Sequence, residues 1–396
     1  MPLRSPAGFI SAFFDPLKNP DAPTSPAATG GDATASVSFT APANVGGSAI
    51  TAYYAVSNPS QVTVSGATSP ISVTGLTNGT AYTFNVWALN SYGSGPWSVA
   101  TGSVTPAANP NRGLFAGGQG VGALISYVTI PTTGNATTFG NLTVERRYLG
   151  ACASSSRGVF GGGEGDVNTI DYVTIATTGN ATAFGALTQN RRSLAGCNSS
   201  TRGVFGGGQN EGSTFYNTID YITIATTGNA ISFGQLTQTM AQLAGCSSPT
   251  RGIFAGGGSS TSSVINYITI STTGNATSFG SLSVGRYQIS GFSSSTRGVF
   301  GSGQGTDTST IDYITIASTG NATTFGSMST GTTIRYGACS SETRGLFGGG
   351  LVLPAYSTLS VIGYVTIATT GNTTSFGNLT TDYYGSAACS SINGGL

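Results

Sequence analysis

RGVFGGG (Arg202–Gly208), followed by IDYITIATTGNAISFGQL (Ile219–Leu236) and LAGCSS (Leu243–Ser248), is the stretch that decides the fold, because it recurs. Aligned on the Arg-Gly pair, the chain starts the unit six times, at Arg112, Arg157, Arg202, Arg251, Arg297 and Arg344. Successive starts are 45, 45, 49, 46 and 47 residues apart, and the last unit runs 53 residues to Leu396. A fixed period of this length marks a repeat architecture, in which each unit buries its apolar face against its neighbours.

Each unit reads as strands. RGVFGGG is a short apolar run ending in glycines, where the backbone turns or closely approaches a neighbour. IDYVTI (Ile170–Ile175) is rich in β-branched and aromatic residues and reads as a buried strand. TTGNA follows, and Gly179-Asn180 is a hairpin signal, because both residues tolerate positive φ. ATAFGAL returns, with Phe184 and Leu187 as core anchors, and SLAGCNS (Ser193–Ser199) is a fourth strand of small residues. Nothing has helical periodicity at useful length.

Four antiparallel strands in each of six units predict a β-propeller over 112–396. The first unit lacks a small-residue strand before Arg112, and the chain ends on one, GSAACSS (Gly385–Ser391). The C-terminal strand is therefore expected to complete the first blade and close the ring. The unit resembles the kelch repeat: an Arg-containing stretch before a small-residue strand (Arg192 to Ser200), a closing glycine run (Gly206–Gly208), Tyr221 in the next strand, and an aromatic in the last. It departs from that family with Phe139, Phe184, Phe233, Phe279, Phe325 and Phe376 where Trp is usual. The resemblance implies fold and not function, since kelch propellers serve as binding platforms and as oxidase scaffolds.

Residues 24–107 form a separate domain. SVSFTAP (Ser36–Pro42), ITAYYAV (Ile50–Val56), ISVTGL (Ile71–Leu76) and AYTFNVWALN (Ala81–Asn90) alternate as half-buried strands. GLTNGTAYTFNVWALNSYGSGPWS resembles a fibronectin type III domain, with Tyr82 at the tyrosine corner and Phe39 where Trp is usual. The fold class expected is thus all-β, an Ig-like sandwich and then a six-bladed kelch-like propeller, joined by a short stiff linker over 108–111.

Residues 1–23 read as an anchoring peptide. Phe9, Ile10, Phe13 and Phe14 form an apolar cluster between prolines, suited to docking into another subunit. Pro6, Asp15 and Pro16 break any apolar run, so neither a signal peptide nor a membrane span is expected there.

Composition narrows the function classes. Charged residues make up 7% of the chain, net charge is +1, Lys18 is the sole lysine, and His is absent. Such a balance does not suit a nucleic-acid binder. Cys152, Cys197, Cys246, Cys339 and Cys389 sit one per unit, with Phe292 at the sixth position, and read as small buried hydrophobes. Without His or paired-Cys spacing no zinc site is expected, and no cofactor of any kind. Asn135, Asn180, Asn275 and Asn321 open glycosylation sequons but are read as hairpin residues. No catalytic motif stands in its required context. Glu145, Glu164, Asp166 and Glu211 are the loop acids, and no enzyme is expected.

The two faces of such a propeller differ. One carries SSxTRG and TTGNA almost unchanged, and its six Arg residues are read as ties to neighbouring carbonyls, with a basic ring for an anion as the alternative. The other carries loops of varied length, and variable loops on a rigid scaffold are where recognition sits. Arg146, Arg147, Tyr148, Arg191, Arg192, Phe215, Tyr216, Arg286, Tyr287, Arg335, Tyr336, Tyr356, Tyr383 and Tyr384 are its candidate ligand-binding residues. The whole looks like a bacteriophage virion surface protein, a tail fibre or receptor-binding component that attaches to a host glycan or protein. A capsid decoration protein with weak adhesion and a propeller-scaffold glycan-processing enzyme are the alternatives. Expected partners are other virion proteins and the host surface, without nucleic acid or membrane insertion; self-association stays open.

Overall fold

A computed structural model describes residues 17–106, 111–165, 167–258, 260–305, 309–331 and 333–391. The anchor residues Phe9, Ile10, Phe13 and Phe14, most of the 108–111 linker, and Asp166 lie outside them. The chain divides into two compact units, Met1–Asn109 and Pro110–Leu396.

In the first unit a three-stranded sheet (Thr24–Gly30, Thr34–Thr40, Ile71–Thr74) shares a core with a four-stranded one (Thr63–Gly66, Ala52–Asn58, Thr83–Asn90, Gly93–Ser94). Period-2 alternation points Val37, Ala55, Val73, Phe84 and Val86 inward, all fully buried. Phe39 packs on Tyr53 with ring centroids 4.8 Å apart. The Tyr82 hydroxyl accepts the Thr77 N–H at 3.0 Å, so one buried ring pins the chain reversal before its strand.

Among the described residues the second unit holds six four-stranded antiparallel cores, one of them extended by a fifth short strand, and a small three-stranded sheet of Thr333–Ile334, Leu351–Val352 and Ser357–Thr358. The third repeat shows the pattern: Ala195–Asn198, Arg202–Gly206, Thr218–Thr223 and Ile231–Gln235, in that order across the sheet. The small-residue strands of successive sheets lie beside one another, and the last strand of the chain lies beside Gly150–Ala153 and Gly337–Ser340. That last strand, Ala387–Ser390, pairs antiparallel with Arg112–Gly118, setting Cys389 opposite Leu114.

Three contacts recur between sheets, and each explains a fixed residue. First, Cys152, Cys197 and Cys246 lie against Gly203, Gly252 and Gly298 of the following sheet, where a Cβ would strike the sulfur. Cys339 and Cys389 meet Gly113 and Gly158 in the same way, and Phe292 meets Gly345. The glycine after each Arg is therefore a packing requirement. All five thiols are free and buried, and burial pushes their pKa up, that of Cys389 to about 12. A thiol held neutral and out of water is inert. Ellman's reagent at pH 8 should leave the native protein unmodified and titrate five thiols after denaturation; one fast-reacting thiol in the folded chain would contradict this packing.

Second, each repeated Arg stacks on the Tyr of its own sheet, at 4.4 to 4.7 Å from the ring centroid. Five also donate to carbonyls in the next repeat, Arg112 to Ile175, Arg157 to Ile224, Arg202 to Ile270, Arg251 to Ile316 and Arg297 to Ile367, and Arg344 of the last repeat donates to Ile130 of the first. These guanidiniums are ties, and the alternative of a basic ring open to an anion falls away.

Third, Gly-Asn is not a hairpin turn. The turn lies earlier, where the Thr177 N–H bonds the Thr174 carbonyl, and neither Gly179 nor Asn180 has left-handed φ. Gly179 and Ala181 instead donate to Phe139 and Asn141 of the preceding sheet, and Asn180 Oδ1 accepts the Asn141 N–H at 3.1 Å. Asn229, Asn275, Asn321 and Asn372 repeat the latch, and Asn135 makes it onto Asn378 of the last sheet. The side chain caps an otherwise open strand edge. The sequon asparagines are therefore latches between sheets.

Candidate functional site

Between each outer strand and the next small-residue strand the chain must reverse sharply, and one residue per repeat does so in the left-handed region. These are Tyr148, Ser193, Gln242, Gln288 and Arg335, with φ of 56 to 60°, and Gly385 at 73°. A non-glycine residue there costs about 1–3 kcal/mol. The offset is visible. The N–H of Ser193 donates to Tyr148, Gln242 to Ser193, Gln288 to Gln242, Arg335 to Gln288, Gly385 to Arg335 and Tyr148 to Gly385. Six backbone hydrogen bonds, 2.7 to 3.3 Å long, thus return on themselves. Each contributes about 0.5–1.5 kcal/mol.

The side chains of this ring line a cavity of about 220 Å3, with walls of Leu149, Leu194, Leu243 and Ile289. Its polar lining includes Glu164, Arg192 and Gln209. The side-chain oxygens of Gln209, Gln242 and Gln288 are buried there without a hydrogen-bond partner. Gln209 is 5% exposed. An acceptor buried as deeply as that of Gln209 costs about 1–3 kcal/mol when unpaired, so the cavity favours a ligand that donates hydrogen bonds.

The cavity gathers a subset of the residues the sequence nominates. Tyr148, Arg192 and Arg335 line it. Tyr384 stands beside it, its ring centroid 6.5 Å from that of Tyr148. Arg335 lies over both rings, at 4.8 and 5.6 Å, and donates to the Tyr148 hydroxyl. Burial pushes the Tyr148 phenol up, against the opposing pull of Arg335. Arg147 pairs with Glu164, which also takes Arg192 at 2.9 Å; Arg192 reaches Glu211 at 3.4 Å.

Four nominated residues are core instead, and a fifth, Tyr336, is both core and cavity wall. Arg146, Arg191 and Arg286 are 0 to 3% exposed and pair with buried Asp171, Asp220 and Asp312. Arg191 also donates to the carbonyls of Gly207 and Thr218, at 2.6 and 2.8 Å. Burial lowers the pKa of Arg146 and Arg191, and the partner Asp opposes it. Tyr383 is 1% exposed, and Tyr336 packs on Phe347 as cavity wall. The three guanidiniums and the Tyr383 ring are not free to grip a ligand, and Tyr336 offers the cavity only a face of its ring. Phe215, Tyr216 and Tyr287 are half-buried at the loop bases, and Tyr356 is exposed on its own loop.

Gln209, Gln242 and Gln288 are the functional candidates that sequence reasoning missed. The position two residues before each small-residue strand is Tyr, Ser, Gln, Gln, Arg and Gly across the repeats. That variability, inside an otherwise fixed motif, is the available signal.

This is an all-β protein in which a fibronectin type III domain precedes an array of small antiparallel sheets. The fibronectin type III family matches residues 21–103. Among solved structures the chain is similar to one described as "Structure of YjhT", a kelch-like propeller, with a TM-score of 0.53 and 11% identity over 63% of this chain and 88% of that one. At that identity the likeness concerns the fold alone. No curated protein matches the sequence.

Proposed function

We propose that the six sheets are blades of a closed, kelch-type propeller, and that the chain is a non-enzymatic bacteriophage surface component. It attaches the particle to a host-cell glycan through the loop-bearing face. The observation that carries this reading is the asymmetry between faces. The repeated Arg and Asn motifs are used up in ties between sheets, whereas the varied loops surround a cavity with unpaired acceptors, an aromatic wall and the guanidiniums of Arg192 and Arg335. Rigid presentation of a polar, aromatic-walled cavity suits a sugar, whose hydroxyls donate and whose ring stacks. Glu164 is held between Arg147 and Arg192, and Asp171, Asp220 and Asp312 each face a buried Arg, which supports binding over hydrolysis. The N-terminal segment would anchor to the particle.

Cryo-electron microscopy of the particle that carries the chain tests this reading. Density at the tail tip or fibre ends is expected. Copies spread over the capsid lattice would turn the reading to decoration, and absence from any particle would end it.

A further inference from the structure

We infer that the cavity ringed by the left-handed residues takes a single sugar residue bearing a carboxylate, a hexuronic acid or similar acidic sugar; this rests on the glycan-attachment reading above. Charge at the cavity is the first argument. Arg146, Arg191 and Arg286 are each neutralised by an aspartate, and Arg147 and Arg192 share Glu164. Arg335 has no carboxylate within 4 Å among the described residues. Its guanidinium is held instead by two tyrosine rings and one hydroxyl, which position it without cancelling its charge. A guanidinium so placed presents a planar fork that a carboxylate matches with two parallel hydrogen bonds.

The orphaned oxygens are the second argument. Gln209, Gln242 and Gln288 need donors, and sugar hydroxyls supply them. An inorganic anion would satisfy Arg335 and leave these three unpaired. A neutral sugar would do the reverse. A carboxylated sugar answers both. Size is the third: about 220 Å3 falls below the ~300–1,000 Å3 of pockets that enclose drug-sized molecules, so one ring enters and the rest of the chain stays outside.

The repeats supply variants that fit. The chain itself places Gln at the left-handed position twice and Ser once, so Arg335→Gln and Gln242→Ser use residues already tolerated there. The probes are methyl β-glucuronoside and methyl β-glucoside, titrated against full-length protein by isothermal calorimetry and saturation-transfer NMR. The glucuronoside should bind at least 5-fold more tightly than the glucoside, and added salt should erode that preference. Arg335→Gln should abolish the preference with the melting temperature unchanged, and Gln242→Ser should weaken both probes. Equal binding of the two sugars, or an Arg335→Gln variant that keeps the preference, would overturn the assignment. Cell attachment separates it from the reading on which it rests. Wild type and Arg335→Gln coating host cells alike, with neither probe bound, removes the acidic-sugar site and leaves attachment standing. Glucuronoside binding by a protein that coats no cell removes attachment and leaves the site.

Discussion

Ending the chain at Ser386 should abolish cooperative folding of the second unit while the transition of the first unit persists. The missing strand, Ala387–Ser390, supplies four residues of ladder to Arg112–Gly118. Cys389 and Ser390 are buried, and Ser390 Oγ donates to the Ser340 carbonyl of the neighbouring sheet. Four ladder bonds at about 0.5–1.5 kcal/mol each, with the burial of Cys389 and Ala387, come to several kcal/mol against a total stability of about 5–15. The loss also leaves Arg112–Gly118 as an open apolar edge, which invites pairing between chains. Calorimetry of the truncated protein should show one transition where the full chain shows two, with aggregation on heating. A synthetic peptide of residues 385–391 should restore the second. Should the truncated chain keep both transitions at wild-type temperatures, the Asn135 and Arg344 ties would be holding first and last sheets together unaided.

How far the sequence alone reaches depends on whether a residue's partner is local. The strands were legible because alternation and glycine runs are properties of a few adjacent residues, and Tyr82 because its partner is five residues away. Gly179-Asn180 misled for the opposite reason. Its turn propensity is real, but its hydrogen bonds go to Asn141, 39 residues earlier, in another sheet. The cavity is not legible in the loops, where Arg and Tyr dominate. What singles out Gln242 and Gln288 is backbone geometry, a left-handed φ that no propensity for Gln announces.

The buried pairs were misplaced although the repeats record them. Two positions before each left-handed residue stand Arg146, Arg191, Met240, Arg286, Thr333 and Tyr383; on the facing strand stand Asp171, Asp220, Asn266, Asp312, Gly363 and Ser126. Arg occurs only opposite Asp. One chain of six repeats is its own alignment, and two positions that vary together across the repeats are expected to touch.

That covariation yields the second large effect. Asp220→Asn should leave the Arg191 guanidinium buried without a counter-charge, and Arg191→Met should strand the Asp220 carboxylate on Thr188 alone, which donates at 2.7 and 3.2 Å. Removing one partner of a buried pair costs about 3–5 kcal/mol. The double variant Arg191→Met with Asp220→Asn copies what the next sheet already contains. There Asn266 accepts the Thr237 N–H at 3.1 Å and lies 3.4 Å from the Met240 sulfur, with both residues fully buried. It should fall within about 2 kcal/mol of wild type, the remaining loss coming from the Gly207 and Thr218 carbonyls that lose a donor. Urea denaturation of all four proteins closes the cycle, and simply additive losses would show the two side chains to be uncoupled. The pair also bears on recognition, because Arg191, Arg146 and Arg286 each stand two residues before a cavity residue: Ser193, Tyr148 and Gln288. The Arg191 guanidinium, locked into the core by Asp220 and the carbonyls of Phe205, Gly207 and Thr218, fixes the backbone that must hold the strained φ beside it. The single variants should therefore weaken glucuronoside binding, through a loosened Ser193, at urea concentrations well below the unfolding midpoint, and the double variant should not.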